Sequence, residues 1–201
     1  GAIEMKSAAY TTPPLQHADR FYIGGEWVTP SSDDQIAVID SASAELYFSI
    51  AEARAGDMER AIAAARTAFD DGPWPRLTPA ERAEYLRALG KELAARADTL
   101  GDIWPRASGV LARIAGPASA GAAATFDYYA DLANSFAFEE PATPTAGGNV
   151  GLLVREPVGV VAAIIPWNGP PGLIAHKCAP ALLAGCTIIV KASPEAPGAA
   201  Y

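Results

Sequence analysis

Two polar side chains follow the ends of predicted buried strands. Asn168 lies three residues after the apolar run Val158–Ile165, and Lys191 comes directly after the run Cys186–Val190. An asparagine amide can donate two hydrogen bonds to a ligand. Because an unpaired ammonium is costly to bury, Lys191 should reach the mouth of a pocket. A simpler interpretation of Asn168 is an N-cap for the helix that follows it, and both interpretations stay open at this point.

The cysteines and histidines are weaker candidates for chemistry. Cys178 falls on the apolar face of a predicted helix and Cys186 begins a strand, where a free thiol usually behaves as a small hydrophobic side chain. His17 and His176 are far apart in sequence and have no partners at ligand spacing. We therefore predict neither a metal site nor a Ser-His-Asp arrangement. Both usual glycine-rich phosphate motifs are absent from the sequence.

The segments around Asn168 and Lys191 predict a strand-helix-strand unit. Val158–Ile165 is a continuous apolar run rich in β-branched residues, typical of a strand buried on both faces. Helical spacing continues over Pro171–Ala184, with prolines in the first turn and Gly185 at the carboxyl end. In such a unit the two strands should be parallel and the crossover right-handed, which brings both loops to the edge where open α/β sheets bind ligands.

Short antiparallel strands are predicted nearer the amino terminus. Residues 3–20 show no periodicity and are expected to form a loose arm. Phe21–Ile23 and Glu26–Val28 flank a Gly-Gly pair, which is typical of a hairpin turn. Ile36–Ile39 and Tyr47–Ile50 predict a second antiparallel pair.

Capping signals predict two helices after these strands. Asp57 is expected to be the N-cap of the first, and Gly72-Pro73 to end it. Thr78 and Glu81 form a capping box for the second, which is expected to break near Ala97-Asp98.

Four later segments are assigned from composition and spacing. We interpret Trp104–Gly109 as a helix-breaking region. Ala118–Phe138 predicts a helix whose aromatic stripe belongs to the core. Pro141–Asn149 is interpreted as a linker, and Asn149–Arg155 as a strand whose partner comes from elsewhere.

Composition limits the class of protein. The chain has 201 residues, half of them hydrophobic, with a net charge of −8. Such an acidic chain is a poor match for a surface that tracks nucleic-acid phosphates. No apolar run reaches ~18 residues, so no membrane span is predicted. The absence of a signal-peptide pattern and the two lone thiols predict a cytoplasmic protein.

Several short motifs resemble the aldehyde dehydrogenase superfamily. They are REPVGVV, IIPWN, KCAPALLAGCTIIVK and SPEAP, with weaker similarity over FYIGGEWV and ERAIAAARTAFDDGPW. That family oxidises aldehydes to carboxylates with NAD or NADP. The resemblance implies an α/β fold, the start of a doubly wound parallel-sheet dinucleotide-binding domain, preceded by antiparallel hairpins and a helical layer.

The resemblance also implies domain boundaries. Residues 1–20 would be an arm, 21–140 the hairpin and helical part of the cofactor domain, 141–157 a linker with an oligomerisation-type strand, and 158–201 the first β-α-β unit. The family's catalytic cysteine and glutamate are expected beyond residue 201, which would leave the chain an oxidoreductase fragment, inactive alone. A homo-oligomer or a partner chain would cover the open sheet. The alternative is a non-catalytic nucleotide-binding or protein-interaction module on the same fold.

Site roles follow from the same resemblance. Asn168 would hold the oxyanion formed when a catalytic thiolate attacks the aldehyde. Many NAD-preferring members place a glutamate three residues after the lysine that corresponds to Lys191. This chain has Pro194 at that position and Glu195 one position later. The choice between NAD and NADP is therefore left open. The residues expected to contact the cofactor are Ile164, Ile165, Pro166, Trp167, Asn168, Lys191, Ser193, Pro194 and Glu195.

Overall fold

The computed structural model describes residues 13–201, and its amino-terminal part contains two antiparallel hairpins. Strand β1 (Phe21–Ile23) pairs with β2 (Glu26–Val28), as predicted. Gly24 and Gly25 form the turn with positive φ angles, which glycine adopts without a steric penalty. Most of the arm predicted for residues 1–20 lies outside the described residues.

The second hairpin is also confirmed. Strand β3 (Gln35–Ile39) pairs antiparallel with β4 (Leu46–Ala51). Its buried side chains, Val38 and Phe48 among them, form a small core of their own beneath the helices.

Helix α1 (Ala55–Asp70) begins earlier than predicted, and the expectation that Asp57 is its N-cap is wrong. The N-cap is Arg54, and Asp57 is the third residue of the helix, where its carboxylate accepts the Arg54 backbone N–H at 2.9 Å. An acidic side chain in this position satisfies an unpaired donor of the first turn and complements the helix dipole. The helix ends before Gly72-Pro73, as predicted.

Helices α2 (Pro79–Ala95) and α3 (Ala97–Ser108) follow a short 3₁₀ turn at Trp74–Arg76. The Thr78 capping box with Glu81 is present, and the helix is interrupted between α2 and α3, as predicted.

The predicted breaker at Trp104–Gly109 is wrong, because α3 continues through it to Ser108. Pro105 removes a single helical donor, whereas Ile103 and Trp104 beside it are buried and hold the turn against the core. The helix ends instead at Gly109, whose φ of 77° is left-handed.

Helix α4 (Ala112–Leu132) begins and ends six residues nearer the amino terminus than its predicted span. Phe136 and Phe138 therefore fall outside it, and their rings contact each other edge to face at 4.8 Å. The rest of the predicted stripe belongs to the core: Phe126 is 3 % exposed, and Tyr129 and Leu132 are partly buried against it.

The predicted linker Pro141–Asn149 overlaps a strand at its first two residues and has no regular structure over residues 143–149. Strand β5 (Glu139–Ala142) pairs antiparallel with β6 (Gly151–Val154). The expectation that the partner of β6 comes from elsewhere is therefore wrong. Arg155 reinforces the hairpin by an ion pair with Glu140 at 3.0 Å.

The carboxyl-terminal unit is β7 (Val160–Ile164), α5 (Pro170–Ala184) and β8 (Thr187–Lys191), followed by a 3₁₀ turn at Pro197–Ala200. Strands β7 and β8 are parallel, as predicted. Gly185 ends α5 with a φ of 94°, also as predicted.

Helices α2, α4 and α5 pack together over one face of this two-stranded sheet. Leu86 of α2, Phe126 of α4 and Leu183 of α5 meet Ala163 of β7 in the main core. Helix α1 lies on the other face, where the Thr187 hydroxyl donates to its Ala65 carbonyl at 2.8 Å. The chain thus has a mixed α/β fold.

Strand β7 is not buried on both faces, contrary to the prediction. Ala163 is fully buried, but Ala162 and Ile164 are exposed, Ile164 by 62 %. Side chains alternate between faces of a strand, and α1 covers only the amino-terminal end of the face that carries Ala162 and Ile164. The carboxyl-terminal end of that face is open to a ligand.

Candidate functional site

The carboxyl ends of β7 and β8 lie side by side. Ile164 and Lys191 are register partners, and the Ile165 N–H donates to the Lys191 carbonyl at 2.9 Å. Register partners in neighbouring strands project to the same face. The open face of the sheet therefore ends in an exposed apolar side chain and an exposed ammonium.

The loop after β7 presents Asn168 to solvent. Ile165 is buried and anchors the loop, whereas Pro166, Trp167 and Asn168 are exposed, Trp167 by 51 %. The N-cap of α5 is Gly169, without a side-chain capping hydrogen bond, so the interpretation of Asn168 as a helix N-cap is wrong. Within residues 13–201 the Asn168 amide has no hydrogen-bond partner, which leaves both of its donors free for a ligand.

Lys191 is the corresponding donor at the end of β8. Its side chain is exposed, and it makes no salt bridge with any residue between 13 and 201. The prediction that this ammonium reaches a pocket is confirmed, because Lys191 lines a deep cleft.

That cleft has a volume of about 1210 Å³ and lies between α1, the β1–β2 hairpin and β8. Its walls are mostly apolar, and the charged side chains among them are Arg20, Glu52, Asp57 and Lys191. The sequence analysis missed the contributions of α1 and the hairpin. Similarity to the family covers both elements, but no local pattern shows that they meet β8, because the contacts join residues more than a hundred positions apart in the chain.

The loop after β8 contains a hydrogen-bonded pair that the sequence did not indicate. The buried Ser193 hydroxyl donates to the Glu195 carboxylate. This bond, the backbone N–H of Glu195 and the charge of Lys191 hold the pKa of Glu195 below its usual range. Ser193 and Pro194 line the large cleft, whereas Glu195 lines a separate cavity of about 390 Å³ against β3.

The two thiols lie away from this edge of the sheet. Cys178 is buried in α5, and burial raises the pKa of its thiol to about 11. Cys186, 2 % exposed, precedes β8 at the opposite end of the sheet. A thiolate is the reactive form of cysteine, so burial makes Cys178 a poor nucleophile at neutral pH.

Neither histidine lines the cleft itself. The His17 ring lies tilted against Trp27 with the ring centroids 4.8 Å apart, and His176 is exposed on α5. Over residues 13–201 there is no group of three His, Cys, Asp or Glu side chains that could hold a metal ion. No helix in the same range is long and apolar enough to cross a membrane.

The sequence and fold of this chain are similar to those of one protein family. The model of the "Aldehyde dehydrogenase family" matches residues 27–201. Geranial dehydrogenase of Castellaniella defragrans is 38 % identical over 173 residues, which are 86 % of this chain and 36 % of that protein. The NADP/NAD-dependent aldehyde dehydrogenase PuuC of Escherichia coli is 33 % identical over 180 residues, 89 % of this chain and 36 % of that protein.

Solved structures give the same result. The crystal structure of a Mycobacterium tuberculosis aldehyde dehydrogenase complexed with NAD+ superposes with a TM-score of 0.83 at 40 % identity, covering 89 % of this chain and 37 % of that one. Apo betaine aldehyde dehydrogenase from Staphylococcus aureus superposes with a TM-score of 0.86 at 31 % identity, covering 91 % of this chain and 36 % of that one. The chain therefore spans little more than a third of the length of these relatives.

Proposed function

The chain belongs to the aldehyde dehydrogenase family, and we propose that it forms the amino-terminal part of an enzyme that oxidises an aldehyde to a carboxylate with NAD or NADP. The observation that supports this most directly is the pair of free donors at one edge of the sheet. The Asn168 amide and the Lys191 ammonium both follow parallel strands whose ends are joined by the hydrogen bond from Ile165 to Lys191. That edge is where open α/β sheets bind nucleotides.

The residues at this edge fit a nicotinamide dinucleotide. Lys191 would donate to the hydroxyls of the adenosine ribose, and Ser193 and Pro194 would contact it from the same cleft. The exposed Ile164 and Trp167, with the backbone of Ile165 and Pro166, would form the apolar wall for the nicotinamide end. When bound, the dinucleotide supplies the hydride acceptor for the oxidation.

Asn168 would stabilise charge on the substrate. Thiolate attack turns the aldehyde oxygen into an oxyanion, and an amide without an internal partner can donate to it with little reorganisation. One such donor contributes ~3 kcal/mol to lowering the barrier. The thiolate would come from another part of the enzyme, since Cys178 and Cys186 are both buried away from this edge.

The remaining elements would support this site. Residues 158–201 would be the first unit of a doubly wound cofactor domain, with 21–140 packed beneath it. Residues 141–157 carry the β5–β6 hairpin, on which Leu152, Leu153 and Val154 are all about half exposed. Apolar side chains exposed on both faces of a two-stranded ribbon favour contact with another subunit.

Turnover by the full-length protein tests the proposal. With NAD+ and a simple aldehyde it should produce NADH, whereas the 201-residue chain alone should not. NADH formation by the 201-residue chain would contradict the assignment of the nucleophile. Binding of NAD+ by the full-length protein without any turnover would favour the non-catalytic module instead.

A further inference from the structure

The loop after β7 contains an asparagine followed directly by a glycine, Asn168-Gly169, the dipeptide in which an asparagine most readily loses its amide group. In that reaction the backbone nitrogen of the second residue attacks the side-chain carbonyl carbon, Cγ, of the asparagine. A side chain on the second residue hinders the attack, and glycine has none. Asparagine is accordingly one of the thermolabile residues of proteins. The loop thus holds two neighbouring residues that can react with each other.

Both reacting groups are free of hydrogen bonds to any residue between 13 and 201. The Asn168 side chain is exposed, and its amide has no partner there. Gly169 is the N-cap of α5, and its backbone N–H donates to no acceptor in the same range. A hydrogen bond to either group would have to break before the attack, and here there is none to break.

The other two asparagines of the chain lack this combination. Asn134 precedes Ser135, whose N–H donates to the Leu132 carbonyl at 3.1 Å. Asn149 precedes Val150, whose β-branched side chain crowds the backbone nitrogen. Because all three asparagines are exposed, the residue that follows each of them is what distinguishes them.

Building on the proposed function, we infer that Asn168 is a site of spontaneous deamidation, and that this modification removes the oxyanion donor and inactivates the enzyme with time. A bond forms between the Gly169 nitrogen and the Asn168 Cγ, the bond from Cγ to the amide nitrogen breaks, and the N–H proton leaves with that nitrogen as ammonia. Water then opens the cyclic imide to aspartate or to isoaspartate. No oxidant or reductant takes part.

Either product changes the chemistry of the site. A carboxylate replaces the two amide donors, and a negative charge at this position repels an oxyanion instead of stabilising it. Isoaspartate also adds a methylene group to the main chain between the buried Ile165 and the buried Pro170, which displaces the loop. Both products should therefore be inactive.

Timed incubation of the full-length protein at mildly alkaline pH, followed by peptide mapping with mass spectrometry, tests this inference. The peptide that contains Asn168 should show the mass increase of an amide-to-acid change, whereas the peptides with Asn134 and Asn149 should keep their amides. Turnover, measured on the same samples, should fall with the same rate constant as the Asn168 amide.

Two variants separate the modification from a general loss of the fold. A Cβ at position 169 would lie 3.5 Å from the Leu173 side chain, an ordinary contact, and the Gly169 φ of −165° is accessible to alanine. Gly169→Ala should therefore fold, and it should keep its amide and its own starting activity several-fold longer than the wild type. Asn168→Asp reproduces one product directly and should have a kcat about 10²–10³-fold below that of the fresh wild type.

Two results would overturn the inference while leaving the proposed function intact. One is an Asn168 amide that persists in the folded, active protein long after it is lost from the urea-unfolded protein, because the fold would then prevent the attack. The other is equal deamidation of all three asparagines. Deamidation of Asn168 with undiminished turnover would instead contradict both the inactivation and the oxyanion role of Asn168. A full-length protein without turnover from the start would refute the proposed function, and the mass measurement would still decide the deamidation.

Discussion

The backbone N–H of Ile165 donates to the carbonyl of Lys191 at 2.9 Å, one step beyond the last register pair of the β7–β8 ladder. This bond joins the two loops at their origin. Because it involves only backbone atoms, the spacing between the loops does not depend on the side chains that bind ligands. Asn168 and Lys191 can therefore be replaced without moving the edge on which they stand.

Replacing Asn168 by alanine should reduce turnover without impairing cofactor binding. Loss of one aligned oxyanion donor is expected to lower kcat about 10²–10³-fold, because the donor acts on charge that develops only in the transition state. Steady-state kinetics of the full-length enzyme measure kcat, and titration measures the Kd of NAD+.

Asn134→Ala is the matched control for this variant, since Asn134 is an exposed asparagine in the turn after α4. It should leave kcat unchanged. A loss of NAD+ binding in Asn168→Ala equal to its loss of kcat would contradict the assigned role.

Asp57→Asn should destabilise the fold. Asp57 is 2 % exposed, and its carboxylate accepts hydrogen bonds from the Ser31 N–H at 2.9 Å, the Ser31 hydroxyl at 2.7 Å and Arg60 at 2.6 Å. Burial alone would raise the pKa of this group, but the hydrogen bonds from Arg54, Ser31 and Arg60 outweigh it and hold the pKa far below its usual value. An amide cannot accept all of these bonds, so we expect a loss of about 2–3 kcal/mol in the free energy of unfolding.

The loss should depend on pH in a definite direction. A depressed pKa in the folded state stabilises the protein above the unfolded pKa of about 4, and this contribution declines as the pH falls towards the folded value. Urea unfolding should therefore show the difference between wild type and Asp57→Asn shrinking below about pH 4. The exposed Asp33→Asn serves as the control; a difference that stayed constant down to pH 2 would disagree with this account.

Arg82→Ala should be among the more destabilising single changes in α2. Arg82 is 5 % exposed and donates to the Leu183 carbonyl at 2.8 Å and to the Leu77 carbonyl, which ties the start of α2 to the end of α5. Alanine would leave two inward-facing carbonyls unpaired and a space in the packing, at a cost of about 3–4 kcal/mol.

Thermal or urea unfolding measures this loss. Arg87→Ala is the control, because its partner Asp131 is a solvent-exposed carboxylate 3.3 Å away, and such surface pairs contribute less than about 1 kcal/mol. Equal effects of the two variants would show that the Arg82 carbonyl contacts add no stability.

Charged substitutions in the β5–β6 hairpin should reduce subunit association. Leu152 and Val154 project to the same face of β6 and are 55 % and 47 % exposed. Replacing both by glutamate should shift the full-length protein to a smaller species in size-exclusion chromatography with light scattering, because a charge is costly to desolvate in an interface. Ile114→Glu changes a similarly exposed apolar side chain in α4 and should not alter the mass. An unchanged mass in the double variant would exclude the hairpin as the contact.

The sequence alone determined the elements whose signals are local. The Thr78–Glu81 capping box, the Gly24-Gly25 turn and the helix end at Gly185 each depend on a few neighbouring residues, and each is where it was predicted. The parallel pairing of β7 and β8 followed from the β-α-β order, since chain connectivity permits few alternatives. Asn168 and Lys191 were found for the same reason, as polar residues at the ends of apolar runs.

Only the tertiary structure decided the features that depend on contacts between distant segments. Asp57 looked like an N-cap, yet its carboxylate binds Ser31, twenty-six residues away. The exposed face of β7 depends on how far α1 extends along the sheet, and the pattern of residues within β7 does not indicate how much of the strand α1 covers. Likewise, Glu195 lines a cavity together with residues of β3, a strand far from it in the chain. Burial arises from segments far apart in the chain, which is why local patterns predicted the donors of the site but not their surroundings.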